Sequence, residues 1–234
     1  LTCHPAAYGF AYWAQDSDQE QASEFDGFIA SCRPDMILFD IGAHFGLFSF
    51  AALHYGGATA RAVAVDPSAT AVRMMRIQSN LNDTGDRLKI VQAAAGLQTD
   101  WREMVPVGVI SGGYMVAAGA DHPASERTRT IATTVDKLAA EFGDAPTHIK
   151  IDAEGDEAEV LMGGAGVLSQ PNSPLLFLEL HNQMIRDRNA DPEDTLLLLE
   201  KFQYETFDVN GDPISSEAML SKPLIRIVAK RREA

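Results

Sequence analysis

The sequence predicts a doubly wound α/β sheet of about seven strands, mostly parallel, with an antiparallel terminal pair. Three observations carry that prediction. Short continuous apolar runs alternate with helical stretches, the first run ends in a glycine turn that opens directly into a helix, and the last two strands are joined by a short loop. With 234 residues, 46% of them hydrophobic, the chain is long enough for one large domain over 1–234 whose core needs neither disulfide nor metal.

The elements follow in chain order. Residues 1–35 form a lead-in, where Phe25, Phe28 and Ile29 recur at helical spacing over 19–31 until Pro34 stops the pattern. The core spans 36–234. Met36 to Ile41 is a short apolar run, as a strand buried on both faces requires, and Gly42 and Gly46 then turn the chain into a helix beginning at Leu47. A strand at Ala62 to Val65, a helix at Ser68 to Leu81 and a strand at Leu88 to Val91 complete a β-α-β-α-β half. Between 100 and 130 regularity breaks down around the glycines at 108, 112, 113 and 119, and an irregular insertion with a β-hairpin is expected. A helix at Thr134 to Phe142, a strand at His148 to Ile151, a helix at Glu157 to Leu168 and a strand at Leu175 to Leu180 follow. The helix Pro192 to Phe202 leads to strands near Tyr204 to Val209 and Leu224 to Ala229, with NGDPISSEAMLSKP between them read as a loop.

Composition narrows the functions. A formal charge of -14 argues against a nucleic-acid partner, since binding a phosphate backbone takes clustered Lys and Arg. Cys3 and Cys32 are too few for a disulfide framework or a Cys-rich zinc site, so both read as free thiols of a reducing, cytoplasmic compartment. No apolar run reaches the roughly 18 residues of a membrane span, so no membrane partner is expected. The opening LTCHPAAYGFAYW lacks the basic flank and apolar stretch of a signal peptide, and its lack of an initiator Met leaves the true N-terminus open.

The turn Asp40-Ile41-Gly42-Ala43-His44-Phe45-Gly46 lies at the carboxyl end of the first strand, where a doubly wound sheet binds its cofactor. Its glycines permit a tight turn and, on this reading, leave room for a ligand against the backbone. Asp66, at the end of the second strand, is placed to accept hydrogen bonds from both ribose hydroxyls of an adenosine, and Pro67 follows it. The dehydrogenase pattern G-x-G-x-x-G is not met, because position 44 is His44 and position 45 is Phe45, which makes a pyrophosphate cradle a poor fit. Asp40 suits a cationic cofactor such as S-adenosylmethionine electrostatically, or else it caps the turn. Gln92, at the end of the third strand, is a candidate for the adenine amino group or a plain surface residue.

Two later strand ends stand out. Asp152 and His181 close the fourth and fifth strands beside the topological switch point, where both could face the reacting group. A histidine near its ordinary pKa of about 6.5 suits removal of a hydroxyl proton; a capping or turn histidine is the alternative. Glu179 alternates with Leu178 and Leu180, so it must be paired, metal-bound or turned to the site. Asp156, Glu157 and Glu159 are read as acids complementing a helix N-terminus.

The blocks DIGAHFG, AVDPSATAVRMMRIQSNLN, TTVDKL, HIKIDAEGDEAEVLMGGAGVL and LLFLELH together resemble the FkbM methyltransferase family over more than half of the chain. The resemblance implies a Rossmann-like class I methyltransferase fold and S-adenosylmethionine as cofactor, held at Asp40, Gly42, Gly46 and Asp66, with Ala43, Pro67 and Gln92 as further candidates beside them. It further implies a substrate-facing surface at Asp152, Glu154 and His181. Where the family usually has Asn, this chain has His44, and the 100–130 insertion matches no pattern of the family. The expected reaction is methyl transfer to a hydroxyl of a small molecule or glycan, with His181 as general base, Asp152 orienting the acceptor, Glu154 and Glu179 contacting it, and no tightly held metal. Three other readings compete: a nucleic-acid methyltransferase, disfavoured by charge and by IDAEG after the fourth strand; a non-catalytic cofactor-binding module; and a nicotinamide-dependent dehydrogenase. The oligomeric state is not readable.

Overall fold

A computed structural model describes residues 2–4, 19–106, 113–115 and 127–232. Its main sheet has seven strands in the order β10-β11-β9-β8-β1-β2-β3, the order of a doubly wound class I methyltransferase sheet. These are β1 Ile37–Ile41, β2 Arg61–Val65, β3 Leu88–Val91, β8 His148–Asp152, β9 Leu175–Leu180, β10 Tyr204–Asp208 and β11 Ile225–Arg231. Neighbours are parallel from β3 across to β9, while β11 runs antiparallel to both β9 and β10. The expected antiparallel ending is thus present, with the last strand inserted one place in from the edge.

Two-residue alternation on the strands divides the core into two layers. Phe39 and Ile41 of β1, Ile149 and Ile151 of β8, and Leu178 and Leu180 of β9 face one side. There they meet α4 Val135–Phe142, α5 Glu157–Gly163 and α8 Glu193–Lys201. Leu38, Ala62, Ala64 and Phe177 face the other, against α1 Gln19–Ser31, α2 Leu47–Tyr55 and α3 Ala69–Leu81. Phe28 of α1 packs edge-on to Phe177 at 5.3 Å and to Phe48 of α2 at 4.9 Å. Burying such a ring stabilises the fold by about 1.5–3 kcal/mol, which is how the lead-in helix holds to the sheet.

Local chemistry sets the helix ends. Ser68 and Thr134 cap α3 and α4 by accepting from the N–H groups of Ala71 and Lys137, and Gly143 ends α4 in the left-handed region. The sequence predicts one helix from Glu157 to Leu168; the chain instead breaks at Gly164, and α6 Ala165–Leu168 begins there. A Cβ at Gly163 would lie 2.1 Å from the Gly96 carbonyl oxygen, so the helix reaches its neighbour only without side chains, and Asp136 accepts from Gly166 and Val167 to cap the new start. Two helices escape the sequence reading: α7 Asn182–Asp187, and α9 Ser216–Ser221 within the segment read as a loop, where Ser215 accepts from Ala218 N–H.

A second, four-stranded sheet spans the insertion and its flanks in the order β4-β7-β5-β6: β4 Ala94–Ala95, β5 Trp101–Pro106, β6 Gly113–Met115 and β7 Thr128–Thr133. Strands β5 and β6 pair antiparallel, as the expected hairpin does, and β7, which the sequence reading did not foresee, pairs antiparallel with β5 and parallel with β4. The glycines at 108, 112 and 119 lie outside the described residues. No helix among the described residues is long and apolar enough to cross a membrane.

Candidate active site

The first strand end is a packed turn. Gly42 and Gly46 have φ of 75° and 82°, conformations that cost an L side chain dearly. The space their missing side chains leave is filled by the protein itself rather than by room for a ligand. A Cβ on Gly42 would sit 1.8 Å from the Asp152 carbonyl oxygen, and one on Gly46 would meet Phe50 and Met75. Gly42 therefore brings the β1 turn into contact with the end of β8. His44 also lies at positive φ, 49°, a region where Asn, Asp and His are enriched, so the turn accepts a histidine there.

Asp40 points to the α2 side, where Ser49 donates to it from both its N–H at 3.0 Å and its Oγ–H at 2.6 Å. Burial pushes its carboxyl up to about 6, against the lowering effect of those Ser49 bonds. It thus caps the first turn of α2, one of the two roles the sequence leaves open. Asp66 is also closed in: at 1% exposure, it accepts from His44 N–H and Ser68 N–H, both at 2.8 Å, one on each oxygen. Its carboxyl is raised by burial. Each oxygen keeps a second lone-pair direction for a ribose hydroxyl, but the open carboxylate the sequence suggests is a covered one. Ala43 is buried with its N–H on the Val65 carbonyl, Pro67 is half-buried, and Gln92 is exposed.

The second group gathers at the ends of β8 and β9. His181 occupies the cap position of α7 but makes no side-chain cap; its Nδ1 instead meets Glu157 Oε1 at 2.8 Å, and the same oxygen accepts from Gly155 N–H. Its Nε2 stands 3.7 Å from Asp152 Oδ1 and 3.6 Å from Glu154 Oε2. Asp152, Glu154 and His181 can each offer one atom within 4.8 Å of the others, a set able to hold a metal ion. The expectation of no metal rested on spacing along the chain, whereas this cluster is assembled in space.

Two expected roles need correction. Burial works to lower the His181 pKa, but the Glu157 hydrogen bond and the charges of Glu157, Asp152 and Glu154 raise it to about 9. A pKa so raised favours the protonated ring over the free base expected. Burial, reinforced by Glu179, raises Asp152 well above the usual carboxylate range, and burial raises Glu154 as well. Glu179, expected to contact substrate, is engaged instead: Arg226 Nη2 lies 2.6 Å from Oε1 and Lys150 Nζ 3.4 Å from Oε2. Burial pushes its carboxyl up, yet those two cations hold it below its ordinary value. The residue missed is Glu157, fully buried beneath His181. A helix-first acid gives no sign in sequence that it turns inward.

A glycine turn in contact with an acid-and-histidine cluster, on a sheet of this order, is the arrangement the FkbM resemblance implies. The methyltransferase FkbM domain profile matches residues 40–206, well over half of the chain. The chain belongs to the FkbM methyltransferase family. An FkbM methyltransferase from Methylobacillus flagellatus has the same fold (TM-score 0.54, 15% identity), the match covering 95% of this chain and 58% of that one. This FkbM chain thus spans little more than half the length of that relative. It is also similar to a precorrin-6y C5,15-methyltransferase from Geobacter metallireducens (TM-score 0.51, 11% identity, 94% and 93% covered). A putative rRNA methylase from Clostridium thermocellum is similar too (TM-score 0.54, 7% identity, 92% and 98% covered). At such identities the likeness is one of fold. No curated protein matches the sequence.

The family implies an S-adenosylmethionine-type methyl donor. The side chains at the strand ends fit it by charge: Asp66 bonds the turn at His44 N–H, and Asp152 and Glu154 stand at the neighbouring strand end, a set that suits a sulfonium and an ammonium and disfavours a pyrophosphate.

Proposed function

We propose that the protein methylates a hydroxyl oxygen of a small molecule or glycan, using S-adenosylmethionine bound at the Gly42–Gly46 turn and Asp66. The observation that carries this reading is the contact between Gly42 and the Asp152 carbonyl, which sets the donor's turn directly beside the Asp152–Glu154–His181 cluster. When bound, the cofactor supplies an electrophilic methyl carbon on a sulfonium. Asp152 and Glu154, their side chains 33% and 27% exposed, are the members of the cluster open to an acceptor, while His181 is more deeply buried. In the transfer the O–CH₃ bond would form as the donor's S–CH₃ bond breaks, its electron pair staying on sulfur as a neutral thioether, and the acceptor's proton would pass to one of the two carboxylates; a positioned acceptor of that proton contributes roughly 10² to 10⁴ in rate. Asp152 and Glu154 orient the hydroxyl by accepting its hydrogen bond, so that oxygen, carbon and sulfur align.

Charge supports a small or neutral acceptor over nucleic acid: a net -14 with acids around the turn repels a phosphate backbone. A cytoplasmic setting is part of the same proposal, in keeping with the two free cysteines. The test is incubation with methyl-labelled S-adenosylmethionine against panels of hydroxylated metabolites, glycans and RNA. Label is expected on an oxygen of the first two panels; label on RNA alone, or on nitrogen, would replace the proposal with the nucleic-acid reading.

A further inference from the structure

His181 is buried to 8% exposure, yet its Nε2 makes no hydrogen bond with any described residue. The facing carboxylate oxygens of Asp152 and Glu154 stand at 3.7 and 3.6 Å, beyond hydrogen-bond reach. The other ring nitrogen is fixed. Nδ1–H donates to Glu157 Oε1 at 2.8 Å, and since an ionised carboxylate only accepts, a neutral ring there carries its lone pair on Nε2, aimed between the two acids. Glu157 is itself held by Gly155 N–H and fully buried, so the ring has little freedom to turn away.

We propose that Asp152, Glu154 and His181 bind a divalent cation through two carboxylate oxygens and Nε2, with Glu157 fixing the imidazole from behind. A histidine ligand that donates its other N–H to a buried carboxylate is the usual support for a metal-bound imidazole. The three ligands come from separate rigid places: the end of β8, a loop residue at φ 52°, and the end of β9. Ligands sharing one ion at about 2.1 Å lie roughly 3 Å apart, so the gaps of 3.7 and 3.6 Å at His181 close by about 0.6 to 0.7 Å, and the two carboxylates, whose oxygens lie within 4.8 Å of the other ligand atoms, reach the same ion by side-chain rotation. Mixed carboxylate and imidazole donors suit a first-row ion between Mn²⁺ and Zn²⁺ rather than Ca²⁺. Three protein ligands leave coordination positions open, and on the hydroxyl-methylation reading, on which this role rests, the acceptor oxygen takes one of them and its proton becomes easier to lose.

The test is a titration of Mn²⁺ into the whole chain after EDTA treatment, without methyl donor or acceptor, followed by loss of the paramagnetic resonance signal of the free ion. One ion per chain is expected. Glu154→Asn, which keeps a residue type tolerant of positive φ but is too short to reach, weakens binding at least tenfold, and Glu157→Gln weakens it by about ten- to a hundredfold. Circular dichroism checks each variant, and Asp152→Asn, expected to show the same loss, replaces any that fails to fold. Absence of binding up to millimolar Mn²⁺ and Zn²⁺, or equal binding by Glu154→Asn and the parent, overturns the site. Because no acceptor enters the titration, a wrong acceptor class leaves this result untouched, whereas a wrong metal site leaves methyl transfer undiminished in EDTA.

Discussion

Single residues in this chain carry meanings that only their surroundings reveal. Asp66 accepts from two backbone N–H groups and, in the function proposed above, from a ribose as well. Asp66→Ala is expected to weaken S-adenosylmethionine binding roughly tenfold to hundredfold, the value of about 1.5–3 kcal/mol for a hydrogen bond to a charged group. Calorimetry returning the parental affinity would remove Asp66 from the cofactor site. His148 shows the opposite case, a residue with no task at the site whose protonation bears on stability. Burial lowers its pKa from 6.5 to about 4, with Arg33 adding to the effect, while Thr147 Oγ lies 2.8 Å from Nδ1. The unfolded chain therefore binds the proton more readily between pH 6.5 and 4, so this residue's effect is a stability that is complete above 6.5 and falls as pH drops toward 4. The full loss is about 3 kcal/mol by the unit conversion of a pKa shift. Urea denaturation at pH 7 and pH 4.5 should show a smaller acid-induced loss in His148→Gln than in the parent; equal losses would mean the ring is solvated in the folded state.

At the scale of elements, the sequence shows what periodicity and capping encode and hides what depends on approach between distant segments. Every strand of the main sheet is legible, most from a short run rich in apolar residues, though β10 (YETFD) carries no such run, and α3 and α4 begin at Ser68 and Thr134, residues whose capping chemistry is local. The helix break at Gly164 is not legible: the cause, the Gly96 carbonyl against Gly163, lies 67 positions away along the chain. Nor is α9, six residues long and therefore nearly without periodicity. The candidate site divides in the same way. Asp152 and His181 are readable as strand ends, while the Glu157–His181 bond and the engagement of Glu179 need the third dimension. One link between elements is open to measurement. The Ser49 Oγ–H bond to Asp40 ties the end of β1 to the start of α2, and Ser49→Ala should cost about 1.5–3 kcal/mol, because the carboxylate it leaves is buried and charged. A midpoint in urea unchanged from the parent's would show that solvent replaces the hydroxyl.

Across the whole molecule, the largest departure from an ordinary core is a closed ring of four buried charges between the lead-in helix and the sheet. Lys150 on β8 pairs with Glu24 of α1 at 3.0 Å and with Glu179 of β9 at 3.4 Å; Arg226 on β11 pairs with Glu179 at 2.6 Å and approaches Glu24 at 3.6 Å. The signs alternate around the ring, and all four residues are buried. Register explains the gathering, since Lys150, Glu179 and Arg226 occupy the face that alternation assigns to α1, and β9 and β11 set Glu179 opposite Arg226. Desolvating four charges is costly, and such a ring adds little net stability over an apolar replacement of the same shape, whereas removing one member leaves a charge with no partner. Lys150→Met should therefore destabilise the protein by about 3–5 kcal/mol, because Glu24 and Glu179 then share Arg226 alone. Adding Glu24→Leu restores a balanced pair, Glu179 with Arg226, and the double variant should regain at least half of the loss. Equilibrium unfolding of the parent, both single variants and the double variant measures the coupling directly. If the effects of the two substitutions simply add, Lys150 and Glu24 act independently, and the apolar packing of Phe25 and Phe28, with the Glu20–Lys222 pair, holds α1 without help from the ring.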